Sequence, residues 1–466
     1  MLIILITAVF ILVGGALYFT FGSRFVESAH GRLFLSRIFV ICLALYGIFL
    51  FIVLRDYFFP VVKEFFSATA APINLAVFRI IVFSILFLRV SGSFNRIIWY
   101  SQVPPEFRIA PVGLKWILDF LPINETWATV ACIMLLVFSL TAMVGFFTRT
   151  SAWITVIAGV YALGIPELFG KVDHYHHLVW FPAILAASRC GDVFSVDAVM
   201  GAWRRADHGL TEPPEASNAY ALPLRFVWLL IGIMYFFPGF AKLWTSGFDW
   251  ALSDNIKYLM YDKWDYPHGW MPFFRIDQYP VLYRLGGIAT IVFEMSFIFL
   301  IFFPSLRIFA VAGGFAFHTM TELFLRISFR DLLRCYVVFF DWNMIFRRIG
   351  TWLYREPRYV IYDGNCSRCR RTIASLRVFD IFGRLTYVNA HDKESIREHG
   401  LLWLDASAIM TDLYVVTARK QGWPGFFGYR ILAARIPILW PIWPLLYVWP
   451  ITAIGTRLYR HVADSR

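Results

Sequence analysis

Long apolar runs dominate this chain, and they leave few folds open to it. A helix that crosses the hydrocarbon of a bilayer needs about 20 mostly apolar residues, and it must satisfy its own backbone polar groups. Candidate spans are 2–20, 33–54, 74–90, 127–147, 151–168, 177–189, 222–241, 283–303, 306–325 and 331–346. The first lacks a basic start and a small-residue cleavage site, so it reads as an uncleaved span rather than a signal peptide. Composition agrees: 59% of residues are hydrophobic and 16% charged, against about 45–50% and about 25% in a soluble domain. The expected fold is an α-helical polytopic membrane bundle of about ten spans, followed by something different.

Basic residues orient the bundle, because Lys and Arg accumulate on the cytoplasmic side. Arg149, the group Arg189, Arg204 and Arg205, then Arg307, and finally Arg347 and Arg348 alternate correctly if all are cytoplasmic. Arg24, Arg32, Arg326, Arg330 and Arg334 then fall outside, against the rule. The expectation is a multi-pass protein of the cell (inner) membrane with both termini in the cytoplasm. Segments 91–126 and 242–282, rich in Trp, Tyr and Pro, lie outside, either as an aromatic interface belt or as a mouth over the bundle.

After residue 356 the pattern changes. "RYVIYDG" reads as a strand, "CSRCRRTIASLRVFD" as an amphipathic helix and "RLTYVNAHD" as a second strand. "MTDLYVVTARKQGWPGFFGYRILAARI" reads as a hairpin followed by a helix. This is an α/β pattern of short strands. From Phe346 onward there are 18 Lys/Arg against 9 Asp/Glu, out of a net +12 for the whole chain. That charge suits a solvated face or anionic lipid head groups; no nucleic-acid motif accompanies it. The apolar run "IPILWPIWPLLYVWPITAIG" carries four prolines, which break helices. It is expected to pack on the domain or lie at the membrane surface.

Several groups can carry chemistry. Cys42, Cys132, Cys190 and Cys335 are scattered through apolar segments and read as small buried hydrophobes. Cys366 and Cys369 form a CxxC that a strand delivers to the start of a helix. The helix N-terminus and Arg368, Arg370 and Arg371 favour thiolate there. Cys366 is expected to attack and Cys369 to resolve, with Asp363 tuning or shuttling a proton. The competing reading is half a zinc site, with His391 and His399 as the spare ligands nearby. Inside the membrane, Arg79, Glu294, His318 and Asp341 are either structural partners or functional groups, and Glu294 and His318 sit on neighbouring spans where they could pair. His174, His176 and His177 fall at the outer end of one span and Lys242 at the outer end of another. A lysine at an apolar mouth is a base near neutral pH or a snorkelling side chain; the histidines lack a convergent carboxylate or thiolate for metal.

The stretch from "LAVFRI" (75–80) to "FFDW" (339–342) resembles the HTTM domain, the membrane domain shared by vitamin K-dependent gamma-carboxylase and its bacterial relatives. The markers are "FRI" (78–80), "DHYHH" (173–177), "SVD" (195–197), "PGFAKL" (238–243), the glutamate of "VFEMSF" and the histidine of "FAFHTM". The resemblance makes Lys242 the base that deprotonates a reduced, vitamin K-like quinone, and His174 its acid/base companion. His176, His177, Glu294, His318 and Arg79 become candidate cofactor-binding residues. Asp173 and His176 stand where the family has Asn and Tyr, and a large extracytoplasmic substrate domain is lacking. Quinol or lipid oxidation is therefore expected rather than glutamate carboxylation.

The tail, through "YDGNCSRC" (362–369) and the ending "GYRILAARIPILWPIWPLL", resembles the DCC family of thiol-disulfide oxidoreductases, which implies a thioredoxin-like fold and a redox-active disulfide. The organisation expected is two N-terminal transmembrane helices (1–71), an HTTM domain (72–348) and a DCC-type domain (356–466). Expected partners are membrane lipids, a quinone or lipid-like small molecule and a thiol protein. Lys242 and His174 face outward and the thiols inward. A lipid- or partner-binding module with a redox-sensing tail is the non-enzymatic alternative; a transporter is disfavoured because no repeat or broken-helix pair is visible.

Overall fold

The apolar runs fold as helices. The computed structural model describes residues 28–109, 111, 120–169, 175–265 and 270–464. Among them, seven helices are long and apolar enough to cross a membrane: Ala29–Val53, Pro72–Gln102, Glu125–Val144, Thr148–Leu168, Asn218–Ser246, Pro280–Leu300 and Pro304–Leu325. The expected span 2–20 lies outside the described residues. The expected span 177–189 is a ten-residue helix, His177–Ala186. The expected span 331–346 is broken into a six-residue helix, a 3-10 turn Tyr336–Phe339 and the start of a new helix, Trp342–Leu353. The break has a local cause. Asp341 caps the new helix, accepting from the Met344 amide at 3.2 Å, and Asn74 holds it from both sides by donating to Asp341 and accepting from the Asn343 amide. A side-chain cap satisfies the exposed amides of a helix start and so favours an end where hydropathy alone sees continuity.

Packing divides the chain into two compact units, one made of residues through Ala68 with Leu224–Phe339, the other of Thr69–Pro223 with Phe340–Arg466. In the first, the helix Asn218–Ser246, from Leu224 on, packs on Pro280–Leu300 through small residues. A Cβ at Gly232 would lie 2.9 Å from Ile298, and one at Gly239 2.8 Å from the Cβ of Glu294. Arg32 of the helix Ala29–Val53 reaches Asp249 at 2.7 Å.

In the second unit, the helix Pro72–Gln102 packs against Glu125–Val144, which in turn forms a tight hairpin with Thr148–Gly164. Gly145 ends the first arm at φ 75°, in the left-handed region that favours glycine, and a Cβ there would collide with Ser195 at 2.2 Å. Asp197 closes the turn. Its carboxylate accepts from the amides of Phe147 (3.0 Å) and Thr148 (2.7 Å) and from the Thr148 hydroxyl (2.7 Å). Arg79, fully buried, donates to the carbonyls of Cys190 and Phe194, each at 2.6 Å. It thereby fastens the turn that launches the helix Val196–Asp207.

The same unit contains the C-terminal α/β domain. Its four-stranded sheet has the order β2-β1-β3-β4, with β1 (Arg358–Tyr362) parallel to β2 (Leu385–Asn389). β3 (Tyr414–Val416) runs antiparallel to β1 and forms a hairpin with β4 (Gly422–Pro424). This βαβ unit followed by a hairpin and a helix, Gly425–Arg435, is the thioredoxin-like arrangement expected. The proline-rich run becomes two 3-10 turns, Pro437–Leu439 and Pro444–Tyr447, and the helix Trp449–Asp464.

Replacing Asp197 by Ala strips an acceptor from two amides and a hydroxyl. It is expected to cost about 2 kcal/mol, read as a drop of several degrees in the apparent melting temperature of the detergent-solubilised chain, with Thr148→Val costing less. Equal melting of D197A and the wild type would contradict this role.

Candidate functional site

The CxxC is assembled by a tight loop between β1 and the helix Ser367–Phe379. Asp363 folds back on the loop, accepting from the Asn365 amide at 2.9 Å, and meets His391 Nε2 at 2.8 Å. Burial pushes its carboxyl up. The His391 contact and the amides of Asn365 and Cys366 outweigh that and hold it below the usual carboxylate value. Gly364 donates to Asn389 Oδ1 at 3.1 Å, and a Cβ on it would lie 2.3 Å from that side chain; the glycine of the YDG string is a requirement of close approach. Cys366 is the N-cap of the helix, its sulfur accepting from the Cys369 amide at 3.3 Å. Cys366 is half-buried and Cys369 is buried, and no disulfide joins them.

Cys369 also lies in the wall of a cavity of about 360 Å³. Leu413, Leu439, Ile442, Leu446 and Leu458 supply much of the remaining lining.

The arginines beside the cysteines do something other than the sequence suggested. Arg371 makes two hydrogen bonds of 2.8 Å to the carboxylate of Asp207. Arg370 donates to Ala206 O at 2.7 Å and to the carbonyls of Gly364 and Asn365 at 2.9 Å. Trp203 donates to Ser375 at 2.6 Å, and Arg377 pairs with Glu212. Alanines 198, 202 and 206 pack against Ala374 and Val378. The helix Val196–Asp207 is thus the seat of the CxxC helix, and Arg370 and Arg371 are occupied in seating it.

In the other unit, a stripe of residues on the helix Asn218–Ser246 holds a buried polar cluster. Lys242 Nζ meets both carboxylate oxygens of Glu294, at 2.8 and 2.7 Å, and lies 5.0 Å from the centre of the Trp250 ring. The Lys242 side chain is 21% exposed and that of Glu294 6%; the pair therefore touches its surroundings through the lysine. Gly239, one turn earlier, admits Glu294, a physical reason for glycine three residues before the lysine. Two turns before Lys242, the Tyr235 hydroxyl lies 2.5 Å from His318 Nε2 and 2.5 Å from the Tyr336 hydroxyl. Gly314 leaves room for Tyr336, whose hydroxyl would be 2.2 Å from a Cβ. Glu294 therefore pairs with Lys242 and His318 with Tyr235, in place of the expected Glu294–His318 pair. Tyr235 and Tyr336 were missed; the seven-residue spacing from Tyr235 to Lys242, which repeats on one helix face, was the available signal for the first.

The remaining candidates are dispersed. His174 lies outside the described residues. His176 is exposed, while His177 is buried with its ring 5.5 Å from Phe181. Arg79, expected among cofactor-binding residues, is committed to the backbone carbonyls of residues 190–194. Among the described residues no three His, Cys, Asp or Glu side chains converge as metal ligands do.

Residues 67–343 match the HTTM domain, over half the chain. The chain belongs to the HTTM family. Residues 360–466 match the DCC1-like thiol-disulfide oxidoreductase family, and the chain is a fusion of the two. No curated protein and no solved structure matches it. This HTTM-domain protein is thus a multi-pass membrane protein with a thiol-oxidoreductase domain at its C-terminal end.

The Lys242–Glu294 pair gives a non-additive expectation. Lys242→Met leaves a carboxylate buried alone and should cost about 3–5 kcal/mol, whereas Lys242→Met with Glu294→Leu should recover most of it. Thermal unfolding of the four proteins in one detergent measures the cycle; additive losses would show that the two side chains do not act as a pair.

Proposed function

We propose that this protein is a membrane-anchored thiol–disulfide oxidoreductase working at the cytoplasmic face. The observation that carries the reading is the sulfur of Cys366, partly exposed at a helix N-terminus and bonded to the Cys369 amide, with the Cys369 thiol buried behind it. Amide donors and the helix dipole stabilise a thiolate in that place. The Cys366 thiolate attacks one sulfur of a partner disulfide, forming a mixed disulfide and releasing the first partner thiolate. The Cys369 thiolate then attacks the Cys366 sulfur, closing the internal disulfide and releasing the second; the partner gains two electrons and the CxxC loses two, and the same steps in reverse oxidise a partner dithiol and return the CxxC to two thiols. Asp363, through its turn and its contact with His391, positions Cys366.

A membrane-impermeant maleimide mass tag tests side and order together. On intact cells Cys366 should stay unlabelled. On permeabilised cells it should react at least about tenfold faster than Cys369, and mild oxidation should protect both as one disulfide. Labelling from outside would overturn the sidedness, and the absence of a Cys366–Cys369 disulfide would overturn the chemistry.

A second reading concerns the bundle and is favoured by the exposed flank of the Lys242–Glu294 pair beside Trp250. In it the pair takes a proton from a lipid-soluble acid of the quinol class on the outer side, with His174 passing protons on. Deprotonating Lys242 inside the pair would leave Glu294 as an uncompensated buried charge. The ammonium therefore gives up its proton only as one reaches the carboxylate, and the pair acts as a unit. A bound quinol would supply the acidic hydroxyl and the two electrons; Trp250 offers a ring face. With a reduced naphthoquinone in nanodiscs, Lys242→Arg, which keeps the charge, should lower quinol-dependent oxygen uptake at least about tenfold. Unchanged uptake would reject the base role.

A further inference from the structure

The two cysteines face different surroundings. Cys366 is the sulfur at the loop, where a protein partner can reach it. Cys369 is buried from that side and borders the 360 Å³ cavity. Of the two cysteines, it is Cys369 that lines the cavity.

The cavity wall narrows the choice of occupant. Leu413, Leu439, Ile442, Leu446 and Leu458 give it an apolar stretch that suits a hydrocarbon chain, while Asp363, Arg368 and Thr372 add polar groups to the wall that suit a polar head. Two of these residues also face outward, Ile442 being 47% and Leu458 61% exposed, and around them Trp449 is 81%, Ile454 63% and Leu445 49% exposed. Exposed apolar side chains gathered in one segment, 442–458, suit a binding or membrane surface, and tryptophan suits the lipid interface. The entrance is therefore built to be wetted by lipid, and its contents come from the lipid phase. A redox-active cysteine in the wall selects, among lipid-soluble molecules, one that can accept two electrons.

We infer that this cavity binds a quinone with an apolar tail, which reoxidises the Cys366–Cys369 dithiol. The proposal rests on the thiol-disulfide reading above. The Cys369 sulfur bonds to a ring carbon of the quinone. Attack by the Cys366 thiolate on that sulfur makes the S–S bond and breaks the S–C bond, and the bonding pair remains on the ring. The two protons released by the thiols end on the two quinone oxygens, giving one disulfide and one hydroquinone. The exchange with protein partners then runs in reverse. One thiolate of a partner dithiol attacks the Cys366 sulfur and releases the Cys369 thiolate. The second partner thiolate attacks the first partner sulfur and releases the Cys366 thiolate, so that two electrons pass from the partner through Cys366 and leave past Cys369 to the quinone.

The test uses the full chain in nanodiscs, reduced, with a fully substituted benzoquinone carrying a decyl chain, a probe with no open ring position for arylation. Disulfide formation is followed by mass spectrometry of the Cys366–Cys369 peptide, alongside oxidation by the water-soluble disulfide of glutathione. The quinone should oxidise the wild type. Ile442→Glu and Leu458→Glu, both at exposed positions, should slow the quinone reaction at least about tenfold by placing charge at an apolar entrance, and change the glutathione reaction less than about twofold. Equal quinone rates in wild type and variants, or a chain oxidised by glutathione disulfide but not by quinone, would overturn the cavity assignment and leave the oxidoreductase reading standing. Failure of both oxidants to form the disulfide would overturn the oxidoreductase reading itself.

Discussion

A single buried guanidinium organises the half of the molecule that carries the thiols. Arg79 points from a membrane helix into the turn at residues 190–194 and ties its carbonyls together. In hydrocarbon, neither an arginine nor a bare turn is tolerable alone, since each unsatisfied polar group costs several kcal/mol. Each supplies what the other lacks. The turn so fixed places Ser195 to cap the next helix through the Ala198 amide at 2.8 Å, and Asp197 to close the neighbouring hairpin. That helix then offers Trp203 and Asp207 to the CxxC helix. A chain of short polar contacts thus leads from the bundle interior to the redox loop.

The other unit solves the same problem differently. Lys242, Glu294, Tyr235, His318 and Tyr336 satisfy one another side chain to side chain, within a shell of phenylalanines such as Phe293 and Phe297, whose rings lie 4.9 Å from that of Tyr235. Two glycines, Gly239 and Gly314, clear the space each group needs. Glycine costs helix propensity, and here it is exchanged for close approach.

What was legible in the sequence follows the physics of each signal. Hydrophobic length is strong and additive, so the long helices were visible. It is blind to caps, and the run 331–346 was read through Asp341 although its carboxylate starts a new helix there. The strand–CxxC–helix string was visible because local pattern and local chemistry coincide. The reach of Arg370 and Arg371 was not visible: nearness in sequence suggested the thiolate, and Arg370 does hold the carbonyls of Gly364 and Asn365, but Ala206 and Asp207, which the two also bind, lie about 164 residues away in the chain. Glu294 was matched with His318 as a possible partner; that Lys242 takes that place depends on the packing that Gly239 permits.

The seating of the CxxC helix on Val196–Asp207 has a kinetic meaning. A redox domain on a flexible tether samples a volume, and its encounters scale with the concentration of its partners in that volume. Here the two arginines and Trp203 clamp the CxxC helix to Val196–Asp207, whose preceding turn Arg79 fastens to a membrane helix, so Cys366 is held at a set height. A soluble partner must come to that level, while a membrane-bound one is already confined to it, and its search shrinks from three dimensions to two.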